Sequence, residues 1–299
     1  MAKTRRTAKR NVAVIGLGIM GGAFARNLIG KGWAVTGFDI DPARRRALGK
    51  AGASIARSAT DAIANAPLVV TSLPKPEALH DVAAAIANAK LSPRVFVETS
   101  TFTLADKMRA KAALKTAGHT LLDCPVSGTG AQAKTGDLVV YASGDTAALR
   151  KAKPMLSAFA RAVHDLGAFG NGSKMKYVAN LLVAIHNVAS AEAMVLGMKA
   201  GLAPRDVLAL ATAGAGNSRI LELRGPLMVK NRYDDPTVRV SVWQKDMAVI
   251  GAFARAIGAP TPLFDATVPL YEDAMTQGHA LHDTASVCAV LERKAGVKR

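Results

Sequence analysis

NVAVIGLGIMGGAFARNLIGKGWAVTGFD, residues 11–39, decides the fold. Asn11–Gly16 is a short, apolar, β-branched run and reads as a buried strand. It turns directly into Gly16-Leu17-Gly18-Ile19-Met20-Gly21, a G-x-G-x-x-G pattern. Ala23–Ile29 continues with helical character until Gly30 and Gly32 stop it, and Trp33–Phe38 is a second strand that ends in Asp39. Gly16 permits the tight turn, Gly18 lets backbone approach a pyrophosphate on the positive end of the helix, and Gly21 lets helix and strand pack closely. A carboxylate at position 39 accepts hydrogen bonds from ribose hydroxyls and repels a 2′-phosphate, so NAD is expected over NADP. Arg44, Arg45 and Arg46 pull the other way, because arginines just beyond the strand could meet a phosphate. A lone G-x-G-x-x-G is weak evidence; with a strand before it, a helix after it and an acid about twenty residues on, it predicts a dinucleotide site.

Strands and helices go on alternating. Leu68–Leu73 is a strand closed by Pro74 and Pro76, Glu77–Asn88 a helix, and Arg94–Glu98 a strand opening into Thr99-Ser100-Thr101. Leu104–Ala117 is a helix, His119–Asp123 a strand, Asp137–Ser143 a further strand, Ala147–Phe159 a helix, and Ala162–Leu166 a last strand. Such alternation predicts a parallel, doubly wound α/β sheet whose ligand lies beyond the C-terminal strand ends. Leu73, Pro74 and Thr101 sit at those ends and are expected to flank the cofactor, although Pro74 also serves as a plain strand stop and Thr101 as a helix cap. In Asp123-Cys124-Pro125-Val126-Ser127-Gly128-Thr129-Gly130, Ser127 and the following backbone N–H groups make either a small anion cradle or a simple turn. Cys124 has no adjacent base in sequence and reads as a small buried residue, not a nucleophile.

Gly170–Ala200 contains no proline and is rich in alanine, leucine and methionine, which predicts one long helix. Lys176 and Asn180, four residues apart, share a face near its start. They are either polar residues at an exposed helix start or groups that handle a substrate. Val178–Met198 is long and apolar enough to suggest a membrane span, but Asn180, His186, Asn187, Ser190 and Glu192 argue against one. Everything after Gly201 reads helical, over about Pro204–Thr212, Ser218–Lys230, Val242–Ile257, Phe264–Gln277 and Ala285–Lys294. Lys245-Asp246 is either a surface ion pair of little worth or a pair facing the cleft between two domains. His279 and His282 lack a third ligand nearby, so no metal is expected.

The 299 residues suit two domains. We expect a disordered basic arm over residues 1–10, a Rossmann domain over 11–168, and an all-helical domain over 169–299 that begins with the long helix. Net charge is +17, of which Lys3, Arg5, Arg6, Lys9 and Arg10 supply five, leaving +12 spread along the remainder. Nucleic-acid binders concentrate such charge beside aromatics, which are sparse here at 5%, so an attraction for anionic cofactors and carboxylates is the expected reading. Two cysteines, far apart, fit a reducing, cytoplasmic setting and no disulfide framework. No signal peptide is visible.

Four stretches together resemble the β-hydroxyacid dehydrogenase family: GLGIMGGAFARNL at 16–28, DCPVSGTGAQAKTGDL at 123–138, GNGSKMKYVAN at 170–180 and WQKD at 243–246. The resemblance covers essentially the whole chain after Arg10. It implies an N-terminal Rossmann domain, a long interdomain helix, an all-α C-terminal domain, and a homodimer or homotetramer. It implies NAD(P)-dependent interconversion of a small β-hydroxy acid with its semialdehyde or keto acid, as in 3-hydroxyisobutyrate dehydrogenase-related enzymes. By position, Lys176 matches the family's catalytic lysine and Asn180 the asparagine one turn on. Ser127 and Gly128 match the loop that holds the substrate carboxylate, and Lys245 the lysine that closes over cofactor and substrate. Leu73, Pro74 and Thr101 match the cofactor-lining strand ends. The family usually has Ser-Gly-Gly where this chain has Ser127-Gly128-Thr129, so Thr129 is expected to narrow the substrate pocket or add a hydroxyl to it. A lysine suits proton transfer because its pKa falls when it is desolvated or set beside another cation, and Lys245 is a candidate for that cation. An imine reductase usually has a different residue at the lysine position, and 6-phosphogluconate dehydrogenase has a larger helical domain. The alternative from another class is a non-catalytic or nucleic-acid-associated protein that keeps the fold.

Overall fold

The computed structural model describes residues 10–299, so the basic arm expected over 1–10 lies, apart from Arg10, outside the described residues. The chain divides into two compact units, one ending at Lys176 and the other running over Tyr177–Arg299.

In the first unit, β1 (Asn11–Ile15), β2 (Ala34–Phe38), β3 (Ser54–Ile55), β4 (Leu68–Thr71), β5 (Val95–Glu98) and β6 (Thr120–Asp123) form a parallel sheet in the order β3-β2-β1-β4-β5-β6. They are connected by α1 (Ile19–Gly30), α2 (Pro42–Lys50), α3 (Ala59–Ile63), α4 (Pro76–Ala87) and α5 (Leu104–Thr116). Val12 and Val14 of β1 enter one apolar cluster, and Ala13 and Ile15 enter another. Both faces of the strand are therefore buried, which is why it reads as a continuous apolar run and not as an alternating one. The order reverses between β1 and β4. Ser72 N–H donates to Ile15 O at 2.9 Å and Thr99 N–H to Thr71 O at 3.0 Å, so the ends of β1, β4 and β5 are held level at that switch point.

The expected parallel continuation beyond Asp123 is corrected. Val126–Ser127 is itself a strand, β7, which pairs antiparallel with β8 (Val139–Ala142), and β8 pairs parallel with β9 (Ala162–Asp165). Only Cys124 and Pro125 separate β6 from β7, far too few for the crossover that a parallel neighbour needs. The chain turns out of the first sheet there, and the two sheets meet where Asp123 and Ser143 exchange backbone hydrogen bonds at 2.9 and 2.8 Å. Two further helices, α6 (Gly130–Thr135) and α7 (Thr146–Leu156), complete the unit.

The long helix α8 (Asn171–Lys199) starts in the first unit and continues into the second. Its first residues belong to the first unit because they pack on β6 and β8: a Cβ on Gly172 would lie 2.3 Å from Tyr141 O and 2.7 Å from Asp123 O. The second unit adds α9 (Pro204–Ala213), α10 (Arg219–Lys230), α11 (Val240–Ala256), α12 (Pro262–Thr276) and α13 (Val287–Ala295). Among its described residues there is no strand. By length and composition α8 could cross a bilayer. Its Asn187, however, is fully buried, donating to Tyr271 Oη and to Thr284 O at 2.9 Å each, as in the core helix of a globular unit.

Candidate active site

At the end of β1 the glycine loop is shaped by close approach. Gly16 has φ +87°, and a Cβ there would fall 2.1 Å from Ser72 O; a Cβ on Gly21 would fall 1.9 Å from Gly16 O. At Gly18 the only neighbour a Cβ would meet is Arg44 Nη1, at 3.6 Å. Gly18 is the N-cap of α1, with no side chain capping it and no acid in the first turn. A helix start that no described side chain caps, edged by an arginine, fits an anionic pyrophosphate. Leu17 is buried, Met20 is half-buried and Ile19 is exposed around this turn. Asp39, buried at the tip of β2, accepts from Leu17 N–H at 2.7 Å through Oδ2 and from Asp41 N–H at 2.8 Å through Oδ1. Arg44 Nη1 stands 3.5 Å from Asp39 Oδ2. The acid thus fastens the loop to β2 and still has acceptor capacity for hydroxyls.

The second loop is built differently. Ser127 ends β7, half-buried, and Gly128 has φ +137°, with Leu138 Cδ2 only 2.4 Å from where a Cβ would be. Thr129 is the N-cap of α6: its Oγ1 accepts from Gln132 N–H at 3.4 Å, while Gln132 Oε1 accepts from Thr129 N–H at 3.0 Å. The two helices lie side by side, with Gly130 against Ile19 and Asn27 Nδ2 donating to Ala133 O at 2.7 Å.

Lys176 lies on the first turns of α8, half-buried. The turn before it is fixed by a cluster no reading of the sequence singled out. Lys107 of α5 has no exposed side-chain surface, and its Nζ lies 2.8 Å from Glu98 Oε2 and 2.7 Å from Asp123 Oδ1. Burial works to lower the pKa of Lys107, but the two carboxylates outweigh it and hold the ammonium charged well above the ordinary lysine value. Asp123 also accepts from Ser173 Oγ (2.8 Å), Ser173 N–H (2.7 Å) and Ser143 Oγ (3.3 Å). Burial and then the Asp123 charge push the Cys124 thiol far above its usual range, so it is no nucleophile.

In the second unit Asn180 is buried and donates through Nδ2 to Asp246 Oδ2 at 2.9 Å, while Lys245 Nζ pairs with Asp246 Oδ1 at 2.8 Å. Asp246, read from sequence only as a partner of Lys245, therefore holds both expected site residues. Leu73 N–H donates to Ser100 Oγ at 2.9 Å, which ties the ends of β4 and β5 together. Pro74 is exposed and Thr101 half-buried. The cap of α5 is Thr103, which accepts from Asp106 N–H at 3.1 Å, so the capping role considered for Thr101 is corrected. His279 and His282 approach through their Nδ1 atoms at 2.8 Å, and among the described residues no group of three or more His, Cys, Asp or Glu could hold a metal.

Residues 11–167 match the NAD binding domain of 6-phosphogluconate dehydrogenase, and residues 170–291 match a family described as NAD-binding of NADP-dependent 3-hydroxyisobutyrate dehydrogenase. A probable 3-hydroxyisobutyrate dehydrogenase of Mycobacterium bovis is 30% identical over 290 residues, covering 95% of this chain and 98% of that one. An NAD-dependent L-serine dehydrogenase of Pseudomonas aeruginosa is 31% identical over 296 residues, covering 96% and 99%. The crystal structure of 3-hydroxyisobutyrate dehydrogenase from Salmonella typhimurium aligns with a TM-score of 0.86 at 30% identity, covering 94% of this chain and 99% of that one.

Proposed function

The chain belongs to the β-hydroxyacid dehydrogenase family, and from that premise we propose that it interconverts a small β-hydroxy acid and its semialdehyde or keto acid, with Lys176 as general acid and base. The observation that supports this reading most is Lys176 itself. It is half-buried and sits three residues after Ser173, whose backbone is locked to Asp123 at the end of β6, the strand leading to the Ser127 loop. Gly16–Gly21 and Asp39 hold the dinucleotide, with Leu73, Pro74 and Thr101 beside it. When bound, NAD⁺ supplies the hydride acceptor. Ser127 Oγ and the Gly128 N–H hold the substrate carboxylate. Lys176 Nζ takes the hydroxyl proton as the carbonyl forms and returns it in the reductive direction. Asn180 orients the reacting groups, and Asp246 holds Asn180 and Lys245 ready until ligands arrive. Asp39 favours NAD over NADP, while Arg44 beside it leaves room for some use of NADP.

The test is initial rate with NAD⁺ and, separately, NADP⁺ against L-serine, 3-hydroxyisobutyrate, L-threonate, glycerate and 4-hydroxybutyrate. Turnover of one acid with NAD⁺ is expected. Lys176→Ala is expected to cut kcat by about 10²–10⁴-fold while NADH still binds with nearly wild-type affinity. Wild-type turnover in that variant would overturn the role of Lys176. The working form in this reading is a cytoplasmic homodimer or homotetramer. Supporting the assembly, α9 buries none of its residues, and Leu196, Leu202 and Leu210 are 73%, 58% and 74% exposed. Light scattering coupled to gel filtration checks it, with a monomeric mass as the contrary result.

A further inference from the structure

The buried Glu98–Lys107–Asp123 cluster has a geometry that its stability value does not account for. Two carboxylates and one ammonium, none with exposed side-chain surface, leave one uncompensated negative charge inside the first unit. Buried ion pairs of this kind add little net stability, because desolvation offsets their attraction. The Asp123 carboxylate faces the start of α8, where the first N–H groups have no acceptor within the helix and the positive end of the dipole lies. Asp123 has about four acceptor directions. Lys107 Nζ and Ser173 Oγ donate to Oδ1 at 2.7 and 2.8 Å, Ser173 N–H donates to Oδ2 at 2.7 Å, and Ser143 Oγ shares its one hydrogen between Asp123 O at 3.2 Å and Oδ2 at 3.3 Å. Ser143 Oγ in turn accepts from Gly172 N–H at 3.0 Å, so two successive residues of the first turn of α8 are held. On the other side, Glu98 Oε1 accepts from Ser100 N–H at 2.9 Å, and Ser100 Oγ accepts from Leu73 N–H at 2.9 Å. One chain of contacts thus runs from the end of β4, through β5, α5 and β6, to the turn that precedes Lys176.

We infer that Lys107 is a positioning residue: by fixing the Asp123 carboxylate between Glu98 and Ser173, it sets where the first turns of α8 carry Lys176 relative to the C-terminal strand ends. This rests on reading Lys176 as the proton-handling group. It explains why a lysine occupies the face of α5 otherwise given to the buried Ala110 and Leu114. Misplacing a reacting group by about 1 Å costs on the order of a hundredfold in rate, so a clamp on the helix start has a kinetic consequence beyond folding.

The test uses the full chain with NAD⁺. Lys107→Met alone strands two buried carboxylates and risks misfolding. The paired variant Glu98→Gln/Lys107→Met keeps Asp123 charged and the buried net charge unchanged, but removes the ammonium that fixes Asp123. Ser173→Ala removes only the Oγ contact. Amide hydrogen exchange over residues 171–177, read without any substrate, is expected to speed up in both variants, while the strands β1 and β4 stay protected. Unchanged exchange over 171–177 overturns the clamp. With the acid of the panel that turns over fastest, kcat per folded molecule is expected to fall by about ten- to a hundredfold in the paired variant, with the NADH dissociation constant within about twofold of wild type. In a Lys176→Ala background the same pair of changes is expected to lower kcat no further, because they act through Lys176. Faster exchange with unaltered kcat, or a fully additive loss, reduces the cluster to a structural clasp and overturns the inference. If Lys176→Ala itself turns over normally, the reading of Lys176 fails separately, and the exchange experiment still judges the clamp.

Discussion

The helices α1 and α6 start side by side in the same unit, and their N-termini are treated in opposite ways. The first opens on Gly18, with no side-chain cap and no acid in its first turn. The second opens on Thr129, which forms a reciprocal capping box with Gln132. A helix start needs acceptors for its first N–H groups. At α6 the protein supplies them from its own side chains; at α1 no side chain does so, which in the proposed function leaves them for the pyrophosphate. The contrast also changes the meaning of Thr129. From sequence it appears as an extra hydroxyl in a substrate loop; in the structure that hydroxyl is committed to Gln132.

The strongest way to break this contrast is to close α1 as α6 is closed. Gly18 has φ −64° and ψ −162°, a conformation any residue adopts, and a Cβ there meets only Arg44. Gly18→Asp is therefore expected to fold, with thermal stability equal or slightly higher, because aspartate is a favoured N-cap. NADH affinity is expected to fall by about a hundredfold or more, roughly 3 kcal/mol, as the carboxylate takes the N–H groups and repels the pyrophosphate. Fluorescence titration of NADH checks this, and wild-type binding would mean the open helix start is not the anion site.

A smaller change sharpens the picture of how the open loop is held. Asp39→Asn keeps one oxygen for Leu17 N–H but gives up both the acceptor for Asp41 N–H and the charge beside Arg44. The ratio of NADP to NAD affinity is expected to rise by about tenfold, or 1.4 kcal/mol, in paired titrations. An unchanged ratio would show that Asp39 only fastens the loop.

The least effect is expected from opening α6. Thr129→Ala removes the cap at a cost of about 1 kcal/mol, which lowers Tm by roughly 2–4 °C for a unit of this size. NADH binding is expected to stay as it is, because the α1 start is untouched. A large loss of cofactor affinity from Thr129→Ala would show that the two helix starts are not independent.

What could be read in the sequence follows from where the chemistry is local. The strand, glycine turn, helix and Asp39 are contiguous, and each residue type has one reason to be there. The capping box of α6 was also present as Thr129-x-x-Gln132, but with Gly128, Gly130 and Gly136 around it the stretch looks like a loop. The Lys107 cluster is not legible, because Lys107, Lys111 and Lys115 recur every fourth residue along α5 and nothing local says which one turns inward. Its partners arrive from the ends of two strands, a relation that only the sheet order creates. Asp246 was visible next to Lys245, whereas its bond to Asn180 crosses 66 residues.

The boundary between the two compact units falls after Lys176, inside an unbroken helix. A chimera joined between Lys176 and Tyr177 would inherit the dinucleotide cradle, the Ser127 loop, the buried clamp and the lysine from one parent. It would take Asn180, Lys245 and Asp246 from the other. A helix, whose register is fixed by its own backbone, makes that joint a graft that preserves phase, and Lys176 stays with the first parent.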